Sequence, residues 1–221
     1  MAPIRKNNLH FKVISSLIFL FYFFPLFSLS KPIEFIVNDE LGRDNVSFTS
    51  DAPIELIVGR TTAVKGKIKI DDTLDLKKIS VEASFEVDLA TIDTGIKLRD
   101  EHMRDNFLET KKYPKAIFKL KKIIPGTETK LIDSASLKLF AEGDFTVHGV
   151  TVKKTIPLKV TYFRESDFTH NRFEHGDVIR IQSTFEVPLK EHKIKRPEVI
   201  FQKLTDTVIV SIDVFAVSGQ K

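Results

Sequence analysis

The sequence predicts an all-β domain of about eight antiparallel strands, closed into a barrel or sandwich, with one short helix inserted near residues 95–108. Three observations carry that reading. Ser80 to Leu89 places Val81, Ala83, Phe85, Val87 and Leu89 in strict alternation with polar residues over ten positions. Such a period-2 row lies on one face of a strand, whereas a helix would scatter it around its circumference. The same alternation recurs along most of the chain. The joints between rows carry turn chemistry, such as Pro125-Gly126 and Gly176-Asp177.

The chain has 221 residues, and residues 31–221 are read as one domain. Before it, Met1 to Lys12 is short and basic, and Val13 to Ser30 has eighteen residues with no charge. A basic start, an apolar run and a small-residue end (Ser28-Leu29-Ser30) form a secretory pattern. Residues 1–30 are therefore expected to be a signal peptide, cleaved before Lys31. An N-terminal membrane anchor is the competing reading, because eighteen residues approach the span of a bilayer. Either way the remaining chain is expected to be periplasmic or secreted.

Along that domain, Ile33 to Val37 and Val46 to Phe48 are short strand candidates. Ile68 and Ile70 alternate with lysines. After the Ser80 row comes Asp93 to Thr110, which breaks the pattern and spaces Ile96, Met103 and Phe107 as a helix would. Pro114 stops any continuation. Phe118 and Leu120 begin the next strand. Leu137, Leu139, Ala141, Phe145 and Val147 share a face, and His148-Gly149 reads as a tight hairpin with a solvated histidine. Ile156, Leu158, Val160 and Tyr162 follow. Then come Ile179, Ile181, Phe185 and Val187, and finally Val208 to Ala216. Asp71-Asp72 is explained by a turn.

Composition excludes several classes. There are 19 Phe but no Trp and no Cys, so disulfides, thiolate metal sites, cysteine nucleophiles and lipidated cysteines are ruled out. The net charge is +4, but Arg5, Lys6 and Lys12 lie in the first 30 residues, and removing them leaves +1. A nearly neutral domain lacks the footprint of a nucleic-acid binder, so no nucleic-acid partner is expected. No nucleophile motif, phosphate loop or HExxH helix is visible, so no catalytic residue is assigned and the chain is not read as an enzyme. His170 and His175 are close in a polar loop, but their spacing is not a firm metal pattern, and no metal site or cofactor is assigned.

Two blocks of residues resemble a known family. The first is Thr91-Ile92-Asp93-Thr94-Gly95, Arg99-Asp100-Glu101-His102-Met103 and Lys112-Tyr113-Pro114 with Phe118. The second is Gly143 to Thr151 followed by Ile156-Pro157-Leu158. Both resemble the YceI-like family, as does Gly66-Lys67-Ile68. The resemblance covers about Ile33 to Val217 and implies an extended, lipocalin-like antiparallel barrel with a helix near one end. It also implies an exported, periplasmic protein holding a polyisoprenoid or quinone-like chain inside the barrel, for storage or transport. Two segments depart from the family pattern, Lys31 to Val58 and the polar insertion Glu165 to Asp177, and both are expected to alter the barrel mouth.

On that reading the barrel interior binds the lipid through Val81, Phe85, Val87 and Leu89 of one row. Phe118, Leu120, Leu139, Phe145 and Val147 come from the next two, and Leu158, Val160 and Phe185 complete the lining. Arg99, His102 and Arg104 are the head-group candidates at the mouth, although Arg99 and Asp100 equally read as local pins of the helix. The other function class is a non-enzymatic structural or interaction domain with a filled barrel at the cell envelope. Outward apolar residues such as Phe140, Ile209 and Phe215 leave contact with the envelope, and a monomer or homodimer, as open partner states.

Overall fold

A computed structural model describes residues 32–77, 81–196 and 202–219. Residues 1–30, read above as an export signal, lie outside the described residues. Ten strands form one antiparallel sheet: β1 (Pro32–Val37), β2 (Asn45–Ala52), β3 (Glu55–Thr61), β4 (Val64–Asp71) and β5 (Glu82–Asp88), then β6 (Lys115–Pro125), β7 (Ser136–Val147), β8 (Val150–Phe163), β9 (Val178–Pro188) and β10 (Thr207–Ser218). Eight of them run in the order β1-β4-β5-β6-β7-β8-β9-β10 and close when β1 pairs with β10. The predicted all-β barrel with its inserted helix is therefore present. Full closure removes most exposed edges.

The seam has an unusual build. β10 pairs with β9 over eleven residues, from Thr207↔Pro188 to Val217↔Val178. Its other edge is shared. Ile209 to Asp213 pair with β2, and only Phe35↔Ser218 and Ile36↔Val217 join β1 to it. β2 and β3 are thus a hairpin added beside the barrel, and the far end of β3 reaches the chain after β5 through Arg60↔Asp93. β3 is absent from the sequence reading because Leu56, Ile57 and Val58 are consecutive apolar residues, without alternation.

The elements divide between two ends. Call the upper end the one where β5 runs out and α1 (Lys97–His102) begins, continuing as a π-helical turn at Met103–Phe107. The β7–β8 turn at His148-Gly149, the β2–β3 tip and the β9–β10 connection share that end. Asp100 locks α1 in place, because its carboxylate accepts from the Thr94 N–H at 2.9 Å and the Thr94 hydroxyl at 2.6 Å. The lower end carries α2 (Asp167–Phe173), between β8 and β9. The polar insertion Glu165 to Asp177, expected to alter the barrel mouth, sits at the end opposite α1 and is helical over seven of its residues. Its helix carries no apolar stripe to announce it. The turn at Asp71 forms as expected, with Thr73 N–H donating to Asp71 Oδ1 at 2.8 Å.

Alternation explains the interior. Along β7 every second residue is buried: Leu137, Leu139, Ala141, Gly143, Phe145 and Val147. The largest core cluster gathers Phe35, Val37, Ile68, Leu139, Tyr162, Ile179 and Val214 with their neighbours. At the lower end Leu76 and Leu131 are buried and close the barrel like a floor, held by Leu76 N–H to Thr129 O at 2.8 Å and Leu131 N–H to Leu74 O at 2.9 Å.

Candidate functional site

The barrel is hollow. Two apolar chambers stack along its axis, an inner one of about 130 Å³ and an outer one of about 490 Å³ that extends under α1. All twelve residues assigned inward from the alternation line one chamber or the other. Val81, Phe85, Phe118, Leu120, Leu139, Leu158 and Val160 face the inner chamber. Leu89 and Val147 face the outer one. Val87, Phe145 and Phe185 border both. Phe145 and Phe185 meet edge to face there, with ring centroids 5.8 Å apart, so this pair forms much of the partition.

Large Phe side chains leave space because some lie flat against glycine. Gly66 pairs across the sheet with Phe85, and a Cβ on Gly66 would stand 2.4 Å from that ring. Phe48 lies over Gly59 in the same way, at 2.3 Å. A ring laid along the wall in this manner covers a bare stretch of strand and keeps out of the lumen.

Polar groups are few: Ser183 borders the inner chamber, where its hydroxyl donates to the Pro157 carbonyl at 2.7 Å, and most of the others gather towards the mouth. Arg99, His102, Glu55, Thr94 and Lys203 border the outer chamber. The Arg99 guanidinium donates to Glu55 Oε1 at 2.7 Å, to the Thr94 carbonyl at 2.7 Å and to the Thr94 hydroxyl at 2.8 Å. Of its two sequence readings, the local pin is therefore built, with Glu55 of β3 added as a distant partner. His102 borders the chamber as a head-group contact would, and Arg104 does not. Lys203 was missed. It stands in the β9–β10 connection, where no periodic pattern points to any face.

His148 departs from its reading as a solvated turn residue. Its side chain is only 11% exposed. Nδ1 lies 3.0 Å from the His192 carbonyl, Nε2 lies 2.9 Å from Glu109 Oε1, and Tyr113 packs edge-on at 4.8 Å. It ties the hairpin to the segment after α1. His192 is fully buried and donates from Nδ1 to the Val150 carbonyl at 3.1 Å, while its Nε2 has no partner among the described residues. Burial holds its pKa below the usual 6.5, because the charged ring would be poorly solvated. Asp44 is the acidic counterpart. It is 1% exposed, and burial pushes its pKa up to about 6.

Two further features lie outside the barrel. Phe140 and Ile209 are half exposed, as their outward faces require. Phe215 is covered: Phe173 of α2 packs on it at 5.3 Å and the Arg172 guanidinium lies 4.5 Å above the ring. At the lower end Glu165, His170 and His175 come together, with one donor atom from each within 4.8 Å of the others.

Comparison with known proteins follows this geometry closely. A family profile described as a YceI-like domain matches residues 41–216. A UPF0312 protein of Vibrio parahaemolyticus is 29% identical over 130 residues, covering 58% of this chain and 62% of that protein. The matched part thus spans less than two thirds of that relative. BcnA of Burkholderia cenocepacia has a similar fold, with a TM-score of 0.62 at 18% identity, over 82% of this chain and 99% of that one. So does a polyisoprenoid-binding domain from Saccharophagus degradans, with a TM-score of 0.62 at 17% identity, over 85% of this chain and 99% of that one.

Proposed function

The chain belongs to the YceI-like family, and from that premise we propose that it is an exported lipid-binding protein holding a polyisoprenoid or quinone-like chain in its barrel for storage or transport. The outer chamber carries the proposal: about 490 Å³ of space, apolar in its depth and polar only at the rim. An apolar tail suits it physically. Burying ten methylenes contributes roughly 8 kcal/mol before the costs of association. Such a tail dominates affinity, and a few polar groups at the entrance set its orientation. His102 and Lys203 are the groups placed to meet a head group, since Arg99 is engaged by Glu55. The polyisoprenoid-binding character of the Saccharophagus domain supports the same ligand class. Export rests on the charge-free run before Lys31. The filled-barrel alternative is disfavoured by the chambers themselves.

Organic extraction of the purified protein followed by mass spectrometry tests the proposal, with native mass spectrometry beside it. The expected result is a co-purifying apolar chain, at about one per protein, of isoprenoid or quinone type. An empty protein that also fails to take up added polyprenyl and quinone lipids would show that the chambers serve no such ligand.

A further inference from the structure

We propose that Glu165, His170 and His175 form a binding site for a divalent transition-metal ion of the zinc class, at the end of the barrel remote from the lipid mouth. The cluster offers two imidazoles and one carboxylate. That donor set suits Zn²⁺ and its borderline neighbours, whereas Mg²⁺ and Ca²⁺ favour sites made of oxygen. Glu165 Oε1 lies 2.8 Å from His170 Nε2 and 3.5 Å from His175 Nδ1. Neighbouring donors around a tetrahedral zinc stand about 3.3 Å apart, given zinc–nitrogen bonds of about 2.0–2.1 Å. Small side-chain rotations bring the three groups to that spacing. All three residues are exposed, so solvent would supply the fourth ligand.

The backbone brings these residues together from a short stretch of chain, and it is held on both sides. Before α2, the Glu165 N–H donates to Asp177 Oδ1 at 2.8 Å, which closes the base of the loop. At the helix start the Thr169 hydroxyl accepts from the Ser166 N–H and donates to the Ser166 carbonyl, both at 2.9 Å. This local pinning, of the capping-box kind, fixes where His170 emerges one residue later. After α2, Glu174 and Gly176 adopt φ of 58° and 103°, and this left-handed turn carries His175 back to His170, with ring centroids 5.2 Å apart. The turn is then tied to β10, since Asp177 N–H donates to Ser218 Oγ at 2.8 Å and Ser218 N–H to the Asp177 carbonyl at 2.9 Å. A Cβ on Gly176 would stand 2.0 Å from the Ser218 carbonyl oxygen, so the close approach requires glycine.

Isothermal titration of the full chain with zinc chloride tests this, with magnesium chloride as the contrasting ion. One equivalent of zinc is expected to bind at micromolar or lower concentration, and magnesium is not. His170→Ala and His175→Ala should each weaken zinc by more than about tenfold, since even partners one shell further out cost about 10–100-fold. Both residues are solvent-facing, so the variants should keep the parent's melting temperature without zinc and should load lipid like the parent. Zinc binding that survives both substitutions, or no binding by the parent, would overturn the site. The two readouts are separate, so failure of the metal site leaves the lipid reading standing, and the converse also holds.

Discussion

Phe145→Glu is expected to lower stability by about 3–5 kcal/mol or more and to empty the barrel of lipid. The lost ring alone accounts for much of that magnitude. Phe145 is 8% exposed, packs on Phe185 at 5.8 Å and on His192 at 5.3 Å, and borders both chambers. A carboxylate in its place has only apolar walls and one neutral imidazole nearby, so it either stays unpaired or takes up a proton. Phe85→Glu, deeper in the inner chamber, should behave similarly. Phe140→Glu supplies the contrast. Its parent residue is 50% exposed on the outer face, and the change should stay within about 0.5 kcal/mol. Urea unfolding of the three variants, with lipid extraction from each, makes the comparison. If the Phe85 and Phe145 variants match the parent in stability and loading, the assignment of faces is wrong.

The second large effect is on pH dependence and belongs to Asp44. Its Oδ1 accepts from the Phe215 N–H at 2.8 Å, and its Oδ2 has no partner among the described residues. The folded protein holds this proton up to a pKa of about 6, whereas an ordinary aspartate releases it near 3.8. Between those values the folded state binds more protons than the unfolded one. Stability from this group is therefore complete below pH 3.8 and is lost as pH rises through about 6, an effect of up to about 3 kcal/mol. His192 acts in the opposite sense. Its folded pKa is below 6.5, so its contribution is present above that value and is lost as pH falls. The two groups oppose each other on the acid side and flatten the curve. Asp44→Asn removes one of them. Between about pH 4 and 6 the variant should lose stability on acidification more steeply than the parent, measured as denaturant midpoints across that range. Equal slopes in the two proteins would show that Asp44 is ionised throughout.

Much of the barrel was legible because alternation needs no knowledge of partners. The Ser80 row and the Leu137 row each announce a strand and its inner face, and the twelve residues named as the barrel lining all border a chamber, while Leu137 itself is packed into the core below them. Whether the interior is hollow could not be read this way. That property depends on Phe85 lying over Gly66 and Phe48 over Gly59, which are pairings between strands rather than patterns within one. The mouth was legible in part. Asp93 to Thr110 signals its helix through the spacing of Ile96, Met103 and Phe107, but the partner that holds Arg99 is Glu55, 44 residues away in sequence. β3 and α2 were missed for local reasons. One is a run of three apolar residues, and the other is a short polar helix started by Ser166 and Thr169. His148 looked like a solvated turn residue because nothing nearby in sequence reveals that Glu109 and His192 flank it.

The way the cylinder is joined has a consequence for how its interior meets water. Twelve residue pairs hold β7 to β8, but two hold β1 to β10, and a chain without cysteine has no covalent staple across that joint. Local opening draws on the weakest contiguous set of backbone hydrogen bonds rather than on the whole sheet. Breathing of the protein should therefore be directional. Amide exchange should be fastest among paired strands at Ile36 and Val217, and slowest along β7 and β8. Uniform protection around the ring would show instead that the hairpin of β2 and β3 splints the joint.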